Sequence, residues 1–263
     1  MIPKKINYIF GLRENFCWKP FQYFHYLNIL SAKILNPTYE FTLYYYYKPD
    51  SEYFEKLSEF CKLIKLDNIP DEISGRKIEH GEHICDLLRI ELIYREGGIY
   101  LDSDTICIKP FDDLLNNKFV MGLEWSNNER EKDEIIGLCN AVVMGEQHNE
   151  FCKIWINEFY NDYQPEWNYN CVKMPYTLSQ KYSDLINVQP RNSFFKYSWD
   201  KSGFADLYEN NSDVSDCYVL HLWESCYYND LKLYDKDYIV NSNTTVANQY
   251  KKYLAVNPPP TIH

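Results

Sequence analysis

The chain has 263 residues and a mass of 31.6 kDa, which is enough for one large α/β domain. Its 27 Lys and Arg against 38 Asp and Glu give a formal net charge of −11 without a basic block, so nucleic acid is excluded as a partner. A hydrophobic content of 45%, with 25 Tyr and 14 Phe, indicates a globular protein, and no apolar run reaches the roughly 18 residues of a transmembrane segment.

The cysteines and the N-terminal residues bear on the compartment. Nine Cys are scattered without Cys-x-x-Cys pairs, and Ile2-Pro3-Lys4-Lys5 has no signal-peptide character. We therefore expect a reducing, cytoplasmic setting, or a location peripheral to a membrane.

The first part of the chain alternates strand and helix patterns. Lys5 to Phe10 predicts a first strand that ends at Gly11, and Pro20 to Leu35 has the apolar spacing of a helix. Glu40 to Tyr47 predicts a second strand, and Ser51 to Leu66 predicts a second helix. This alternation predicts parallel strands wound in the Rossmann manner.

The stretch from His80 to Phe111 contains the main functional signal. An apolar helix pattern stops at a glycine pair, and the short strand Ile99 to Leu101 leads directly to Asp102 and Asp104. In extended backbone these carboxylates would point to one side, at the strand end where α/β sheets bind ligands. Because like charges this close repel, a cation is expected between them, and oxygen ligands favour Mg²⁺ or Mn²⁺.

The helix before the glycine pair carries a second polar feature. Its apolar residues cover nearly the whole circumference, so the helix should be buried. Asp86 and Arg89 lie within that apolar surface, three residues apart and therefore on one face. They form either a structural ion pair or a binding site for a polar ligand held against the aspartates.

Two more strands and a helix follow the central block. Lys118 to Trp125 and Leu138 to Met144 predict the strands. The polar stretch between them, Ser126 to Glu134, is interpreted as a mobile surface loop. Asn149 to Tyr160 predicts the helix.

The last third has weaker patterns. Residues 161–216 are interpreted as an irregular region that would bind an acceptor or form a lid. Cys217 to Leu222 predicts a final strand, Val246 to Leu254 a short helix, and residues 257–263 a tail. Since no repeat or linker divides the chain, residues 1–263 are expected to form one domain.

The central block resembles glycosyltransferase family 32, the sugar-binding region with a DXD motif, and more distantly the glucosylating domain of large clostridial toxins. The family pattern Ser-Asp-x-x-Arg appears here as Cys85-Asp86-Leu87-Leu88-Arg89, with Cys85 in place of Ser. The pattern Tyr-x-x-Gly-Gly-x-Tyr-x-Asp-x-Asp, followed by Pro, matches Tyr94 to Asp104 and Pro110.

This resemblance implies an α/β protein with the GT-A fold, a Rossmann-like mixed central sheet flanked by helices. The implied reaction is the metal-dependent, retaining transfer of a hexose from a nucleotide-diphosphate sugar to a hydroxyl of a glycan or other glycoconjugate. A UDP-hexose is expected as the donor in preference to GDP-mannose, with Mn²⁺ or Mg²⁺ as the cofactor.

The resemblance also implies roles for the four charged residues of the block. Asp104 would ligate the metal directly, and Asp102 would contact both the metal and the ribose. Asp86 and Arg89 would hold the sugar hydroxyls.

Three further residues are expected at the donor through the same resemblance. Phe10 would stack on the nucleotide base, unless it belongs to the core. Asn140 of the Asn-Ala pair would lie near the donor sugar, unless it is a structural strand residue. Tyr100 would contact the sugar or the nucleotide, or else only pack.

Near the C-terminus, His221-Leu222-Trp223-Glu224-Ser225 resembles a family segment with His, Trp and Ser, and Cys226 replaces a further Trp. His221 is expected to join the aspartates at the metal, with Ser225 as the alternative oxygen ligand. Trp223 and Ser225 are also expected to contact the donor. The alternative is a strand-end His221 packed by Trp223.

Two other functions fit part of the pattern. Tyr-Leu-Asp-Ser-Asp-Thr also matches a haloacid dehalogenase-like phosphatase, in which Asp102 would be the nucleophile. However, that class places its motif on the first strand and needs a later acidic motif. The other alternative is a non-catalytic sugar-binding protein.

Overall fold

The structure, a computed structural model, describes residues 1–16, 19–78, 80–128 and 131–256, with backbone alone at 126–128 and 131–134. The strands are β1 (Lys5–Phe10), β2 (Glu40–Tyr45), β3 (Lys62–Lys65), β4 (Glu72–Ile73), β5 (Arg76–Lys77), β6 (Gly98–Leu101), β7 (Thr105–Cys107), β8 (Phe119–Asn128), β9 (Glu131–Gly145), β10 (Asn187–Gln189) and β11 (Val219–His221). The helices are α1 (Tyr23–Leu35), α2 (Glu52–Lys56), α3 (Gly81–Glu96), α4 (Glu150–Asn161), α5 (Met174–Lys181), α6 (Arg191–Phe194), α7 (Lys201–Tyr208), α8 (Glu224–Leu231), α9 (Lys236–Asn241) and α10 (Thr245–Lys251).

Seven of these strands form one mixed sheet in the order β10-β8-β9-β6-β1-β2-β3. β6, β1, β2 and β3 run parallel, whereas β9 is antiparallel to both β6 and β8. β7 and β11 form a separate antiparallel pair, and so do β4 and β5. The expected α/β class with a mixed central sheet is therefore confirmed.

Apolar side chains cover both faces of this sheet. One buried cluster includes side chains of α1, α7 and α10, and the other includes side chains of α3, α4 and α5. The central strands are buried on both sides, and Tyr8 of β1 and Tyr100 of β6 have no exposed surface. Burial on both faces explains why these strands are apolar runs and do not alternate with polar residues.

Helix α3 and strand β6 are joined by the two glycines that the sequence predicts as a helix stop. Gly97 adopts φ +65°, and its N–H donates to the Ile93 carbonyl at 2.9 Å. Gly98 adopts φ +101°, and a Cβ there would lie 2.8 Å from the Lys5 carbonyl oxygen of β1. A side chain at either position would be strained, so the pair permits the sharp entry into β6.

Several predicted elements agree with the structure. The first strand, the first two helix starts, the second strand and α4 lie where the sequence predicts them, within a few residues. The predicted helix from Ser51 to Leu66 is wrong in its second half, because a turn at Leu57–Glu59 ends it and Lys62–Lys65 form β3 beside β2. Helical spacing and edge-strand pairing compete in so short a segment, and the backbone ladder with β2 prevails.

The predicted loop from Ser126 to Glu134 is also wrong in its described part. β8 extends through Asn128 and β9 starts at Glu131, with Ser126 opposite Glu134. Main-chain pairing holds a two-stranded ribbon together whatever the polarity of its side chains, so the polar composition was misleading. Residues 129 and 130 lie outside the described part of the chain.

The C-terminal third contains more structure than its sequence indicates. Residues 161–216, expected to be irregular, contain α5, α6, α7, β10 and a turn of π-helix at Tyr169–Lys173. Helices α8 and α9 were not predicted, and the expected tail at 257–263 lies outside the described residues. Among the described helices, none combines the length and apolar character needed to cross a membrane.

Candidate active site

A cavity of about 740 Å³ opens at the carboxyl ends of the parallel strands β1 and β6. β9 pairs with β6 only as far as Val142, opposite Leu101, and its preceding residues extend past the end of β6 together with β8. This projecting hairpin forms one wall of the cavity. The volume suits a small-molecule ligand, and the strand-end position is where α/β sheets bind such ligands.

The two aspartates that follow β6 meet a histidine in this cavity. Asp102 to Thr105 form a turn in which the Thr105 N–H donates to the Asp102 carbonyl at 3.2 Å. The expected extended geometry is therefore wrong, although both side chains still converge. β7 starts immediately after this turn and pairs with β11, which places His221 opposite Thr105. Ligand atoms of Asp102, Asp104 and His221 all lie within 4.8 Å of one another.

Asp104 is ionised by its surroundings. Burial alone would raise the pKa of its carboxyl, but His221 Nε2 at 3.3 Å and the Glu224 backbone N–H, which donates at 2.8 Å, lower it to about 2. Burial would lower the pKa of His221, yet the Asp104 charge outweighs it and raises that pKa. Asp104 thus remains an anion at every physiological pH.

The side-chain atoms of Asp102, Asp104 and His221 could bind a divalent cation. Two carboxylates and one imidazole are a mixed oxygen and nitrogen set, which several divalent metals accept, Mn²⁺ among them. Ligands at about 2.1 Å from such an ion lie roughly 3–4 Å apart, so a span of 4.8 Å needs only a small closure. The His221 Nδ1 atom is buried without a hydrogen-bond partner among the described residues, whereas Nε2 faces Asp104 at 3.3 Å.

Arg89 lies at the centre of a buried polar network beside the aspartates. Its Nη1 donates to Asp102 at 3.1 Å and to the Asn140 carbonyl at 2.9 Å, while its Nη2 lies 3.4 Å from Asp86 Oδ1. The Asn140 amide donates to the same Asp86 oxygen at 2.8 Å. The guanidinium therefore joins α3, β6 and β9, and all four side chains line the cavity.

The network also affects the pKa of the Asp86 carboxyl. Burial raises the pKa of the Asp86 carboxyl, and Arg89 and Asn140 oppose that rise. Cys85, which stands where the family pattern has Ser, accepts from Arg89 Nη2 at 3.3 Å through its sulfur. The thiol thus occupies an acceptor position that a hydroxyl would also fill.

Tyr100 was expected at the donor, and the structure places it elsewhere. Its side chain is fully buried and is not among the residues that line the cavity. The hydroxyl donates to Asp102 Oδ1 at 2.7 Å, and the ring lies under the Arg89 guanidinium at 4.6 Å. Tyr100 therefore positions Asp102 and Arg89 from below, which agrees with the packing alternative.

We expect Tyr100→Phe to lower the free energy of unfolding by about 1.5 kcal/mol, because a hydrogen bond to a charged carboxylate is lost. Tyr8→Phe on the neighbouring strand is the matched control, since Tyr8 is equally buried but its hydroxyl has no partner among the described residues. Removing that hydroxyl should be neutral or stabilising. Urea unfolding of both variants measures the difference, and equal losses would contradict the role of Tyr100.

The segment after β11 has an unusual backbone. Trp223 adopts φ 55° and ψ 49°, the left-handed region, which a large side chain occupies only when its surroundings enforce it. Its indole donates to the Tyr197 carbonyl at 2.8 Å and packs on the His221 ring at 4.0 Å between centroids. This turn is what directs the Glu224 N–H toward Asp104. Ser225 is exposed and lines the cavity, so its donor contact stays a prediction.

The opposite end of the cavity is aromatic and cationic. Phe10 lines it and stacks on Phe16 at 6.0 Å, so its expected contact with a base stays a prediction that the geometry allows. Arg13 and Lys19 line the same end, after β1. Neither cation belongs to a sequence motif, although their place after the first strand of an α/β sheet was an available signal.

Glu124 is a third cavity residue that no sequence motif indicated. It lies on the projecting part of β8, is 7% exposed and lines the cavity near His221. Burial raises the pKa of its carboxyl. A single Glu in an apolar strand pattern carries no motif, so the sequence had no signal for it.

Carboxylates dominate the cavity wall. Among its described residues, seven are Asp or Glu and three are Lys or Arg. A diphosphate would be repelled from such a surface unless a cation came with it. The negative charge of the wall therefore agrees with a cation bound by Asp102, Asp104 and His221.

The chain resembles known proteins in sequence. Residues 25–120 match the family described as the glycosyltransferase sugar-binding region containing the DXD motif. Glucan organizing enzyme 1 of Cryptococcus neoformans var. grubii is 29% identical over 235 residues, which cover 86% of this chain and 63% of that protein. Human alpha-1,4-N-acetylglucosaminyltransferase is 21% identical over 184 residues, covering 64% of this chain and 48% of that one. The chain thus spans about two thirds or less of the length of these relatives.

The fold has a solved counterpart. The glycosyltransferase GlyE of Streptococcus pneumoniae TIGR4 superposes with a TM-score of 0.52 at 14% identity, covering 96% of this chain and 61% of that one. At this identity the likeness concerns the fold alone. Together with the strand order, it shows a fold of the GT-A type, and the matched DXD-containing sugar-binding region agrees with a glycosyltransferase.

Proposed function

We propose that this protein transfers a hexose from a UDP-linked sugar to a hydroxyl of a glycan or other glycoconjugate, with retention of the anomeric configuration and with Mn²⁺ bound. The observation that carries the proposal is the convergence of Asp102, Asp104 and His221 next to the Arg89 network in one cavity. A single GT-A domain over residues 1–263 is part of the proposal.

The cavity divides by chemistry into three parts. Phe10 and Phe16 offer aromatic surface for a base, and Arg13 with Lys19 offers charge for phosphates. Asp102, Asp104 and His221 would hold the metal beside the diphosphate. On the far side, Asp86, Arg89 and Asn140 present carboxylate, guanidinium and amide groups to the donor sugar, although each is already bonded to the others.

This arrangement accounts for a transfer without a protein nucleophile. The acceptor oxygen would bond to the anomeric carbon as the bond from that carbon to the diphosphate oxygen breaks, and the acceptor proton would pass to the departing diphosphate. A bound divalent cation would stabilise the negative charge that grows on the diphosphate. Arg13 and Lys19 would add charge on the same oxygens, and the Arg89 network would hold the sugar in place.

We expect His221→Ala to raise the Mn²⁺ concentration for half-maximal activity by tenfold or more, on the order seen when a metal site loses part of its shell. The ring lies 3.3 Å from Asp104 and would supply the nitrogen ligand. Activity titrated with Mn²⁺ measures the change. His148→Ala is the control, since His148 packs against Tyr94 outside the cavity. An unchanged titration with reduced stability would assign His221 to packing.

The phosphatase alternative is not favoured. The DXD turn follows β6, with β1, β2 and β3 before it in the chain, and Asp102 is held by Arg89 and Tyr100. The non-catalytic alternative would keep the sugar-binding groups but would not need the convergence of Asp102, Asp104 and His221.

Nucleoside diphosphate release tests the proposal. The protein is incubated with Mn²⁺ and UDP-glucose, UDP-galactose, UDP-N-acetylglucosamine or GDP-mannose, and UDP or GDP is measured. We expect metal-dependent UDP formation with at least one UDP-sugar. Phosphate release from sugar phosphates without nucleoside diphosphate formation would support the phosphatase, and a thermal shift by a UDP-sugar without turnover would support a binding protein.

A further inference from the structure

Glu124 is a buried carboxylate that neither the metal group nor the donor network uses. It lines the cavity from the hairpin that projects beyond β6, beside His221. Its carboxylate accepts hydrogen bonds from the Cys139 thiol and the Trp199 side chain. Burial raises the pKa of the carboxyl, whereas these two hydrogen bonds and the nearby His221 lower it. Two carboxylate oxygens offer about four acceptor positions, so Glu124 can still accept from a ligand in the cavity.

The location of Glu124 on β8 directs it toward the segment before α7. Gly122, two residues earlier on the same face, is packed against α6, since a Cβ there would lie 2.7 Å from the Phe194 ring. Glu124 therefore faces the chain that follows α6, where Trp199 lies. The acid and the indole form the wall of the cavity next to His221.

Trp199 is exposed, yet its segment is held at several points. Its side chain is 40% exposed within the wall of the cavity. The Trp125 indole donates to the Phe195 carbonyl at 2.8 Å, and the Trp223 indole donates to the Tyr197 carbonyl at 2.8 Å. Asp200 caps α7 directly after Trp199 by accepting from the Gly203 N–H at 3.1 Å. An exposed indole on an anchored segment is a preformed binding surface, because little conformational freedom is lost on contact.

A carboxylate beside an exposed indole matches the chemistry of a sugar ring. The ring offers several hydroxyl donors at its edge and an apolar C–H face, whereas a carboxylate is an acceptor and indole is a flat apolar surface. The described contacts of this pair differ from those of the donor groups. Arg89 and Asp86 contact each other and Asn140, whereas the partners of Glu124 are Cys139, Trp199 and His221.

We propose that Glu124 and Trp199 form the acceptor subsite, and that the acceptor is itself a sugar whose hydroxyl donates to the Glu124 carboxylate while its ring packs on the Trp199 indole. This inference rests on the proposed transferase function and deepens it, because it selects a carbohydrate acceptor over a protein side chain. Glu124 is a specificity-determining residue in this account, and it forms no bond in the reaction.

Donor hydrolysis and sugar transfer separate this subsite from the donor site. With Mn²⁺ and the UDP-sugar that the protein turns over, UDP release to water is measured without acceptor. Transfer is then measured with a panel of methyl hexosides and disaccharides, and with a peptide containing Ser, Thr and Tyr. We expect transfer to at least one sugar and none to the peptide.

The variants are Glu124→Gln, which keeps the shape and removes the charge, and Trp199→Ala. We expect Glu124→Gln to lower kcat/KM for the sugar acceptor by about ten- to a hundredfold, the cost of mismatching a hydrogen-bonded hydroxyl, while hydrolysis changes less than about twofold. Trp199→Ala should raise the acceptor KM. Tyr238→Ala on α9 is the control, since Tyr238 is also 40% exposed but lies outside this cavity.

Each other outcome overturns the inference. Equal loss of hydrolysis and transfer in Glu124→Gln would assign the residue to the donor or metal site. Unchanged transfer in both variants would remove them from the acceptor site, and transfer to the peptide alone would exclude a sugar acceptor. If the wild-type protein neither hydrolyses nor transfers from any nucleotide sugar, the proposed function itself is refuted. If it hydrolyses the nucleotide sugar but transfers to no sugar, only the acceptor inference is refuted.

Discussion

Asp104→Asn is expected to lower kcat/KM for sugar transfer by about a thousandfold, the upper range for loss of one preorganised electrostatic group. The carboxylate is buried at 10% exposure and is held as an anion by His221 and the Glu224 N–H. Asparagine keeps the shape and can still accept from that N–H, but it removes the charge that a cation needs. Steady-state kinetics at several Mn²⁺ concentrations measure the effect.

Asp112→Asn is the matched control for this variant. Asp112 is 54% exposed and pairs with Lys4 on the surface, so its neutralisation should change transfer less than about twofold. Thermal unfolding of both variants establishes that they are folded. Full transfer by the Asp104 variant, or by the wild-type protein in excess chelator, would refute the metal-dependent mechanism.

Arg89→Lys should lower kcat/KM by a hundredfold or more and should also destabilise the protein by about 3 kcal/mol, because buried charges lose their partner. The guanidinium contacts Asp102 and the Asn140 carbonyl through Nη1 and Asp86 through Nη2, a planar fork that one ammonium group cannot reproduce. Donor KM and urea unfolding are measured together, so that a folding defect is distinguished from a loss of donor positioning.

Arg95→Lys on the same helix is the control, since Arg95 is 63% exposed and its ion pair is with the neighbouring Glu96 on the surface. It should behave like the wild-type protein. Wild-type turnover in Arg89→Lys would show that Arg89 is a structural charge and would remove it from the donor site.

The part of the site that the sequence predicts correctly is local. The site's central block consists of consecutive elements: helix α3, the glycine pair, β6 and the DXD turn. The apolar spacing indicates the helix, the glycines indicate its end, and the β-branched and aromatic residues indicate the strand. Asp86 and Arg89 could be placed on one face because they are three residues apart in one helix. Their ion pair in the structure agrees with that placement.

The parts that the sequence predicts poorly depend on competition between local patterns and partners distant in the chain. Lys62–Lys65 became a strand because β2 was available to pair with it, and the polar hairpin of β8 and β9 is held by its own ladder. Tyr100 lies two residues before Asp102, and strand spacing would place both side chains on the same side, toward the ligand. However, only the packing of α3 over β6 shows that it lies beneath Arg89.

By itself, the sequence determined the α/β class, the DXD block and the pairing of Asp86 with Arg89, because these depend on neighbours within about thirty residues. Phe10, Asn140 and His221 were expected only through the family resemblance. Only the tertiary structure decided how they meet. Glu224 reaches Asp104 across 120 residues, and Asp86 reaches Asn140 across 54. The pairing of β7 with β11 brings His221 to the aspartates, and the projecting hairpin brings Glu124 to Trp199. The hydrophobic periodicity of the sequence does not indicate such contacts. They arise from sheet register and packing, which depend on the whole chain.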